Sequence, residues 1–250
     1  MENALLIGLS RQMALRRELD VVANNVANIN TTGFKSDTAV FEEFLMPVAR
    51  HDHFQGRDRV FSYVQDRATW HDMGQGPVKQ TNNPLDVSID GNGFLVVQTP
   101  RGERYTRNGS FQINAQGQLV TSEGYPVLGD GGPLQFQNED RDITIARDGT
   151  VSVPEGARGR LRLVTFADAQ RLQKDSASTF AAPADMPPQD QAIEQVHLIQ
   201  GTLEQSNVRP VVEMARLIEV SRQYTQLATL LQQHGDIRKS AIERLAEVPA

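Results

Sequence analysis

Glycine is concentrated in the middle of this 250-residue chain, and its distribution limits where long helices can form. Fourteen of the 19 glycines lie between Gly74 and Gly159, whereas the first 35 residues contain two and the last 50 contain two. Glycine favours turns and weakens a helix by about 1 kcal/mol per residue. The sequence therefore predicts helical ends around a β-rich middle.

Both ends carry apolar residues at alternating spacings of three and four, the pattern of a helix with one narrow apolar stripe. The N-terminal stripe is interrupted at Gly8 and Gln12 and comprises Met1, Leu5, Leu15, Leu19, Val22, Val26 and Ile29. The C-terminal stripe is interrupted at His234 and Arg238 and comprises Leu217, Val220, Tyr224, Leu227, Leu231, Ala241 and Leu245. Because narrow stripes bury too little surface to stabilise a lone helix, we expect the two helices to pair with each other or with another chain.

Local signals indicate where the first helix ends and the second begins. Four Asn residues between Ala23 and Asn30 compete with the backbone for hydrogen bonds, so they suit a helix end whose amides bond to a neighbour. Gly33 is then predicted to form a turn. Asn207 or Ser206 is predicted to cap the second helix, with Pro210 in its first turn.

The middle of the chain has the pattern of short strands separated by turns. Turn signals occur at residues 90–93, 107–109, 114–117 and 148–149, and the predicted strands are 87–90, 93–98, 118–121, 150–153 and 161–166. Regular short strands with Gly-rich turns are typical of a small antiparallel sandwich or barrel. The predicted fold class is α+β, with N- and C-terminal helices pairing as a coiled coil and a central antiparallel β-rich domain.

The domain boundaries follow from these patterns. Residues 1–35 with 203–250 are predicted to form a terminal helical coiled-coil domain, and residues 74–180 the β-rich domain. Residues 50–70 are polar, charged and weakly periodic, so we expect an extended linker region over residues 36–73. Residues 181–202 are predicted to be a Pro-rich linker and return segment, because proline lacks a backbone donor.

Candidate catalytic and metal-binding patterns are weak. The pairs His51-Asp52-His53 and His71-Asp72 offer metal ligands, but a polar loop without a metal is the preferred interpretation. Asp86, Asp90 and Asp148 lie beside turns and lack the full calcium-loop pattern, so hairpin turns explain them better. No nucleophile elbow, phosphate-binding loop or zinc-protease motif occurs in the sequence. We therefore predict no enzyme, no catalytic residues, no metal and no cofactor.

Charge and composition limit the classes of molecule that the protein is expected to bind. A net charge of −6 and a pI near 5.4 argue against a nucleic-acid-binding surface over the whole protein. The absence of cysteine excludes disulfides. Arg11, Arg16, Arg17 and Lys35 make the N-terminal segment basic, which we interpret as a solvated helix face or a surface for an acidic protein. The sequence lacks a secretory signal pattern, so either a cytosolic protein or export without a cleaved peptide fits.

The string Ala23-Asn-Asn-Val-Ala-Asn-Ile-Asn-Thr-Thr-Gly-Phe-Lys35 resembles the signature of bacterial flagellar basal-body rod and hook proteins. Residues 81–94 with 105–111 look like a second part of the same family. Residues 201–208, which lead into Glu213 and Met214, look like a third. These matches lie at the start, middle and end of the chain, in order. Within the family, residues 8–12 and 15–20 look more like the proximal-rod members than the distal-rod members.

The resemblance implies a structural subunit of the flagellar basal-body rod that assembles helically, transmits torque and catalyses no reaction. It implies terminal helices that pair as a coiled coil and order on assembly. It also implies partners among the proximal and distal rod proteins, homo- and hetero-assembly in the rod, and export through the flagellar type III apparatus without a cleaved signal peptide. The expected location is the rod in the periplasmic space, with no nucleic-acid binding and no stable membrane insertion.

Each candidate residue has a predicted role in assembly. Helix pairing is assigned to Leu15, Leu19, Val22, Val26, Leu217, Tyr224, Leu227 and Leu231. The turn and subunit contacts are assigned to Asn24, Asn25, Asn28, Thr32, Gly33 and Phe34, and the start of the returning helix to Asn207 and Val208. Two alternatives remain open at this point: a distal rod subunit of the same family, and a non-flagellar β-domain binding module with a dimerising coiled coil.

Overall fold

The computed structural model describes residues 2–46, 61–137, 140, 142–190 and 196–246. The chain divides into two compact units, and each contains segments distant in sequence. The first, here the helical unit, comprises Met1–Val26, Asp37–Trp70 and Pro210–Ala250. The second, here the β-rich unit, comprises Ala27–Ser36 and His71–Arg209.

Two long helices and a pair of strands make up the helical unit. Helix α1 spans Glu2–Ala27 and helix α2 spans Pro210–Ala246. Strand β1 (Asp37–Met46) lies beside strand β2 (Phe61–His71) in a two-stranded sheet. The predicted helices at both ends are confirmed, and Pro210 is in the first turn of α2 as expected. The α+β fold class is confirmed.

The β-rich unit consists of short strands and one 3₁₀ turn at Ala169–Arg171. The described strands are β3 (Val78–Gln80), β4 (Val87–Asp90), β5 (Phe94–Thr99), β6 (Gly102–Thr106), β7 (Phe111–Ile113), β8 (Leu119–Thr121), β9 (Leu128–Gly129), β10 (Gly132–Pro133), β11 (Thr144–Ile145), β12 (Thr150–Val153), β13 (Gly156–Arg160), β14 (Leu163–Thr165), β15 (Gln173–Lys174), β16 (Thr179–Ala181), β17 (Gln189–Asp190), β18 (His197–Gln200) and β19 (Thr202–Glu204). The pairs of these strands given by residue register are antiparallel.

Strand β5 lies inside the largest sheet, whose strand order is β15-β16-β6-β5-β14-β17. Successive strand side chains point to opposite faces, and β5 is apolar on both. Leu95 and Val97 pack into one hydrophobic cluster, while Phe94 and Val96 pack into another. This explains why the sequence of β5 is a continuous apolar run rather than an alternating one. The two clusters form the core of the β-rich unit.

Turn signals predicted local connections well but pairing partners only in part. The Asp148-Gly149 signal joins β11 to β12 in a hairpin, and Asp148 accepts hydrogen bonds from the Thr150 amide at 3.0 Å and the Thr150 hydroxyl at 2.7 Å. The hairpin interpretation is wrong at Asp90, because β4 pairs with β18 and β5 pairs with β6 and β14. The turn at 90–93 therefore connects different sheets.

Three predicted boundaries need correction. The region 36–73 was expected to be an extended linker, but its described residues form β1 and β2. The region 181–202 was expected to be a linker and return segment, yet it contains β17 and β18, and Leu198 of β18 is 1% exposed within the core. Residues 27–35 and 203–209 are predicted to lie in the helical domain but belong to the β-rich unit. The contacts that define these regions are made with residues far away in the sequence, so local composition does not predict them.

Candidate functional site

The segment that follows α1, residues 27–36, is held inside the β-rich unit. Gly33 has a φ of +68°, and a Cβ there would lie 2.5 Å from the carbonyl carbon of Arg107, so this position requires glycine. Its amide donates to the backbone carbonyl of Glu204 at 2.8 Å. The next residue, Phe34, is fully buried, and the ammonium of Lys174 lies 3.8 Å from its ring centre. Backbone shape and burial together fix this segment, here called the anchor segment.

Lys35, which follows Phe34 in the anchor segment, belongs to a buried group of three charged side chains. Its Nζ lies 2.7 Å from Glu204 Oε1, and Arg107 Nε lies 2.9 Å from Glu204 Oε2. The side chains of Lys35, Arg107 and Glu204 are 0%, 3% and 1% exposed. We call these three residues the buried ion cluster. A single carboxylate therefore bridges two cations away from water.

Backbone groups complete the hydrogen bonding of the buried ion cluster. Lys35 Nζ donates to the carbonyl of Gly74 at 2.6 Å, and Glu204 Oε1 accepts from the Gly76 amide at 3.0 Å. Arg107 donates to three further backbone carbonyls, those of Gly93 at 3.2 Å, Gly91 at 3.0 Å and Ile89 at 3.4 Å. Buried charges are tolerated only with such satisfaction. With its charges paired and bonded to backbone, the cluster has the chemistry of a structural clamp.

The electrostatics of the cluster are unbalanced, with two cations for one carboxylate. Burial lowers the pKa of Lys35 below its ordinary value, and the nearby charge of Arg107 lowers it further. The carboxylate of Glu204 opposes both effects, and Asp72 adds a weaker attraction. Glu204 is thus the group on which the two cations depend.

Asn207, near the C-terminal end of the β-rich unit in sequence, hydrogen-bonds to the anchor segment and to residues 72–74. Its Oδ1 accepts from the Ser36 amide at 2.8 Å, while its Nδ2 donates to the carbonyls of Asp72 at 2.8 Å and Gly74 at 3.1 Å. The predicted cap at Asn207 or Ser206 is wrong, because α2 begins at Pro210 and the Ser206 hydroxyl accepts from the Val208 amide at 3.3 Å. Asn207 and the buried Val208 therefore precede the helix rather than start it.

Asn25 plays a similar joining role within the helical unit. It lies in the last turn of α1 and is 1% exposed. Its Nδ2 donates to the Asp37 carbonyl at 2.8 Å and to Glu213 Oε2 at 3.2 Å, and its Oδ1 accepts from the Asp37 amide at 2.9 Å. One side chain thus connects α1, β1 and α2. The expectation that an Asn amide near the helix end bonds to a neighbour is confirmed here.

The two helices contact each other along the predicted stripes, here called the seam. Leu15 and Val22 are buried, and the other residues assigned to pairing are half-buried: Leu19, Val26, Leu217, Tyr224, Leu227 and Leu231. Gly8 lies against Leu231, since a Cβ on Gly8 would come within 2.5 Å of Leu231 Cδ2. Arg216 pairs with Glu18 at 2.9 Å. Early residues of α1 meet late residues of α2, so the helices run in opposite directions.

The remaining residues of the signature string, Asn24, Asn28 and Thr32, are exposed or half-buried. Asn24 is exposed and Thr32 is half-buried. Asn28 Oδ1 accepts from the Thr31 hydroxyl at 3.0 Å, which closes the turn after α1. His71 packs edge-on against Phe180 with ring centres 6.0 Å apart.

Sequence reasoning missed the buried ion cluster. The interpretation of Lys35 as part of a solvated basic face is wrong, because its side chain is buried. Arg107 and Glu204 were not singled out, although each lies within a string that carried the family resemblance. Charged residues beside turn glycines in all three strings were the available signal.

Two sequence features lead to no assigned site. Asp72 of the proposed His71-Asp72 pair accepts from the Gly74 amide at 2.9 Å, and residues 51–53 lie outside the described residues. Across the part of the chain that the structure describes, no three His, Asp or Glu side chains converge as metal ligands. Neither α1 nor α2, within the residues described, has the length and apolar character needed to cross a membrane.

Comparison with known protein families places matches at the start, middle and end of the chain. Residues 5–35 match the flagella basal body rod protein family. Residues 88–153 match the flagellar hook protein FlgE/F/G D1 domain, and residues 199–244 match the flagellar basal body rod FlgEFG protein C-terminal family. Lys35 is the last residue of the first match, Arg107 lies in the second, and Glu204 lies in the third.

Relatives that align with most of the chain are also flagellar basal-body rod proteins. A flagellar basal-body rod protein FlgF from Caulobacter vibrioides is 43% identical over 250 residues, covering 99% of this chain and 100% of that relative. A FlgF from Mesorhizobium japonicum is 33% identical over 98% of both chains. A flagellar basal-body rod protein FlgG from Agrobacterium fabrum is 33% identical, covering 89% of this chain and 91% of the relative.

These matches define the chain as a structural protein and not an enzyme. It belongs to the flagellar basal-body rod protein family, and within that family it is similar to FlgF proteins. The prediction of a structural rod subunit of the basal body is confirmed. The distal-rod alternative and the non-flagellar binding module are not favoured.

Proposed function

We propose that this protein is a proximal-rod subunit whose α1 and α2 pair as a coiled coil and which assembles helically with copies of itself and with other rod proteins. The observation that carries this proposal is the seam, in which residues at spacings of three and four are buried on one side of each helix. Val22 and Val220 are its most buried apolar members, at 2% and 3% exposure. The seam residues would hold the two helices together during assembly.

The outer side of α2 supplies the support for assembly with neighbours. Val211, Met214 and Ile218 follow one another at helical spacing and are 81%, 49% and 69% exposed. At about 100° per residue, Val211 lies about 180° around the helix from the seam residue Val220. Large apolar side chains on a helix face away from its partner mark a surface for another protein. A contact that does not close on itself generates a filament, which is the form a rod needs.

The finer assignments belong to the same proposal. The partners are the proximal and distal rod proteins and the flagellar type III export apparatus, with export lacking a cleaved signal peptide and assembly in the periplasmic part of the basal body. The helical unit forms the assembling body and transmits torque through packing. The signature residues fix the turn and the subunit contacts: Asn24, Asn25, Asn28, Thr32, Gly33 and Phe34.

The seam is tested by placing a charge in it. Leu19→Asp buries a carboxylate on the α1 face that contacts α2, so it should abolish rod assembly and swimming while the β-rich unit stays folded. Gln232→Asp introduces the same charge at an exposed position of α2 and serves as the control. Assembly is measured by isolating basal bodies and swimming by motility in soft agar. Normal motility of Leu19→Asp at native expression would refute the role of the seam.

The proximal position is tested separately. A tag fused to this protein should appear at the base of the rod in electron micrographs of isolated basal bodies. A tag located next to the hook would support the distal subtype instead and refute the proximal assignment.

Circular dichroism of monomer and assembled rod should show helix gained on assembly, because narrow helical stripes are marginal without neighbours.

A further inference from the structure

We infer that Glu204 is a positioning residue that latches the anchor segment onto the β-rich unit, with its one carboxylate held between two buried cations. The inference deepens the proposed function, and it rests on that function only for its mechanical consequence. The anchor segment continues the chain directly from α1, so force carried along the backbone of α1 passes into the β-rich unit through this segment, in which Lys35 is held. The latch itself is a property of the isolated chain.

Three distant parts of the chain meet at the latch. Glu204 is 169 residues from Lys35 and 97 residues from Arg107 in sequence, and it bonds to both. Lys35 comes from the anchor segment, whereas Arg107 follows β6 and Glu204 ends β19. Loss of the carboxylate would leave Arg107 with its three backbone carbonyls and Lys35 with the Gly74 carbonyl. The two cations would then repel each other without a carboxylate between them.

The anchor segment, and not the core, depends on this arrangement. Neither hydrophobic cluster of the β-rich unit includes a residue from 27–36. Apart from the buried Phe34, the described contacts that hold the segment are polar: the Gly33 amide to the Glu204 carbonyl, the Ser36 amide to Asn207, and Lys174 to the Lys35 carbonyl at 2.9 Å. The segment can therefore open while β5 and β6 stay packed.

The charge imbalance predicts an order of effects that simple loss of contacts would not give. Glu204→Gln removes the one carboxylate that pairs with both cations and leaves Lys35 and Arg107 buried without it, so it should be the most damaging change. Lys35→Met removes one cation and leaves the Arg107–Glu204 pair intact, so it should be milder. The double variant Lys35→Met/Glu204→Gln should be less damaging than Glu204→Gln alone, because the repulsion between the cations is gone.

Hydrogen–deuterium exchange of the purified full-length chain tests this order. The Gly33 amide bonds to the backbone of Glu204 and not to its side chain, so its exchange reports opening of the segment in every variant. Glu204→Gln should accelerate exchange at Gly33 by about 100-fold, and Lys35→Met by about tenfold or less. Amides of β5 and β6 should keep their protection. Glu103→Gln, which removes a 43% exposed carboxylate paired with Arg162, is the matched control and should leave exchange at Gly33 unchanged.

The outcomes separate the latch from its alternatives. Equal acceleration by Glu204→Gln and Lys35→Met, or a double variant worse than Glu204→Gln, would overturn the charge argument. Parallel acceleration in β5 and β6 would overturn the latch by showing a general loss of stability. If Glu204→Gln accelerates exchange at Gly33 but cells expressing it at the native level swim normally, the role of the anchor segment in carrying force is refuted. Because exchange is measured on the free chain, failure of the rod proposal would not alter this result.

Discussion

Replacing Gly33 with alanine should destabilise the β-rich unit by about 1 to 5 kcal/mol. Gly33 lies where the anchor segment turns against the backbone that follows β6, with a φ of +68°. An added Cβ would lie 2.5 Å from both the carbonyl carbon of Arg107 and the amide nitrogen of Asn108. The clash is with backbone, so rotation of a side chain cannot relieve it.

The magnitude is the sum of separate effects. Holding an L-residue in the left-handed region costs about 1 to 2 kcal/mol. Forcing a methyl group into a packed contact costs about 1 to 3 kcal/mol, and the 2.8 Å hydrogen bond from the Gly33 amide to Glu204 would lengthen as the backbones separate. Alanine also stiffens the unfolded chain, which offsets about 0.4 to 1 kcal/mol.

Two other glycines provide matched controls. Gly124 has a φ of +85° with no atom within 4 Å of its added Cβ, so Gly124→Ala measures the backbone cost and the effect on the unfolded chain without a steric clash. Gly131 also has open space and lacks a left-handed backbone, so Gly131→Ala measures the effect on the unfolded chain. Urea unfolding of the full-length variants should rank the destabilisation Gly33, then Gly124, then Gly131. A Gly33→Ala value within about 0.5 kcal/mol of Gly124→Ala would refute the close-approach argument.

Two further predictions concern the residues around the anchor segment. Asn207→Leu removes three hydrogen bonds to backbone, and urea unfolding should show a loss of about 2 to 3 kcal/mol; a loss below about 0.5 kcal/mol would contradict this. Burial lowers the pKa of Lys35, so the unfolded chain binds more protons than the folded chain between the lowered pKa and the ordinary one. The stability of the unmodified protein relative to Lys35→Met should therefore rise with pH across that alkaline window. A fall would mean that the attraction of Glu204 outweighs burial.

Features encoded in neighbouring residues could be predicted from the sequence. The stripe through Leu15 and Val22 predicted the buried side of α1, and the run 150–153 predicted β12 at its exact limits. The strands β1 and β2 were missed, because the region 36–73 has no regular alternation. The pairing of β4 with β18 was missed because a strong turn signal favoured the next strand in sequence. Local patterns report which faces are apolar and leave the partner of each face open.

By itself, the sequence determined the kinds of elements, their order and the family resemblance, since helix periodicity, glycine-rich turns and short strings are all local. Only the tertiary structure decided that Lys35 is buried, that it shares Glu204 with Arg107, and that the anchor segment belongs to the β-rich unit. The physical reason is distance along the chain. A lysine has the same local pattern whether water or a carboxylate 169 residues away surrounds it, and folding alone brings those two groups together.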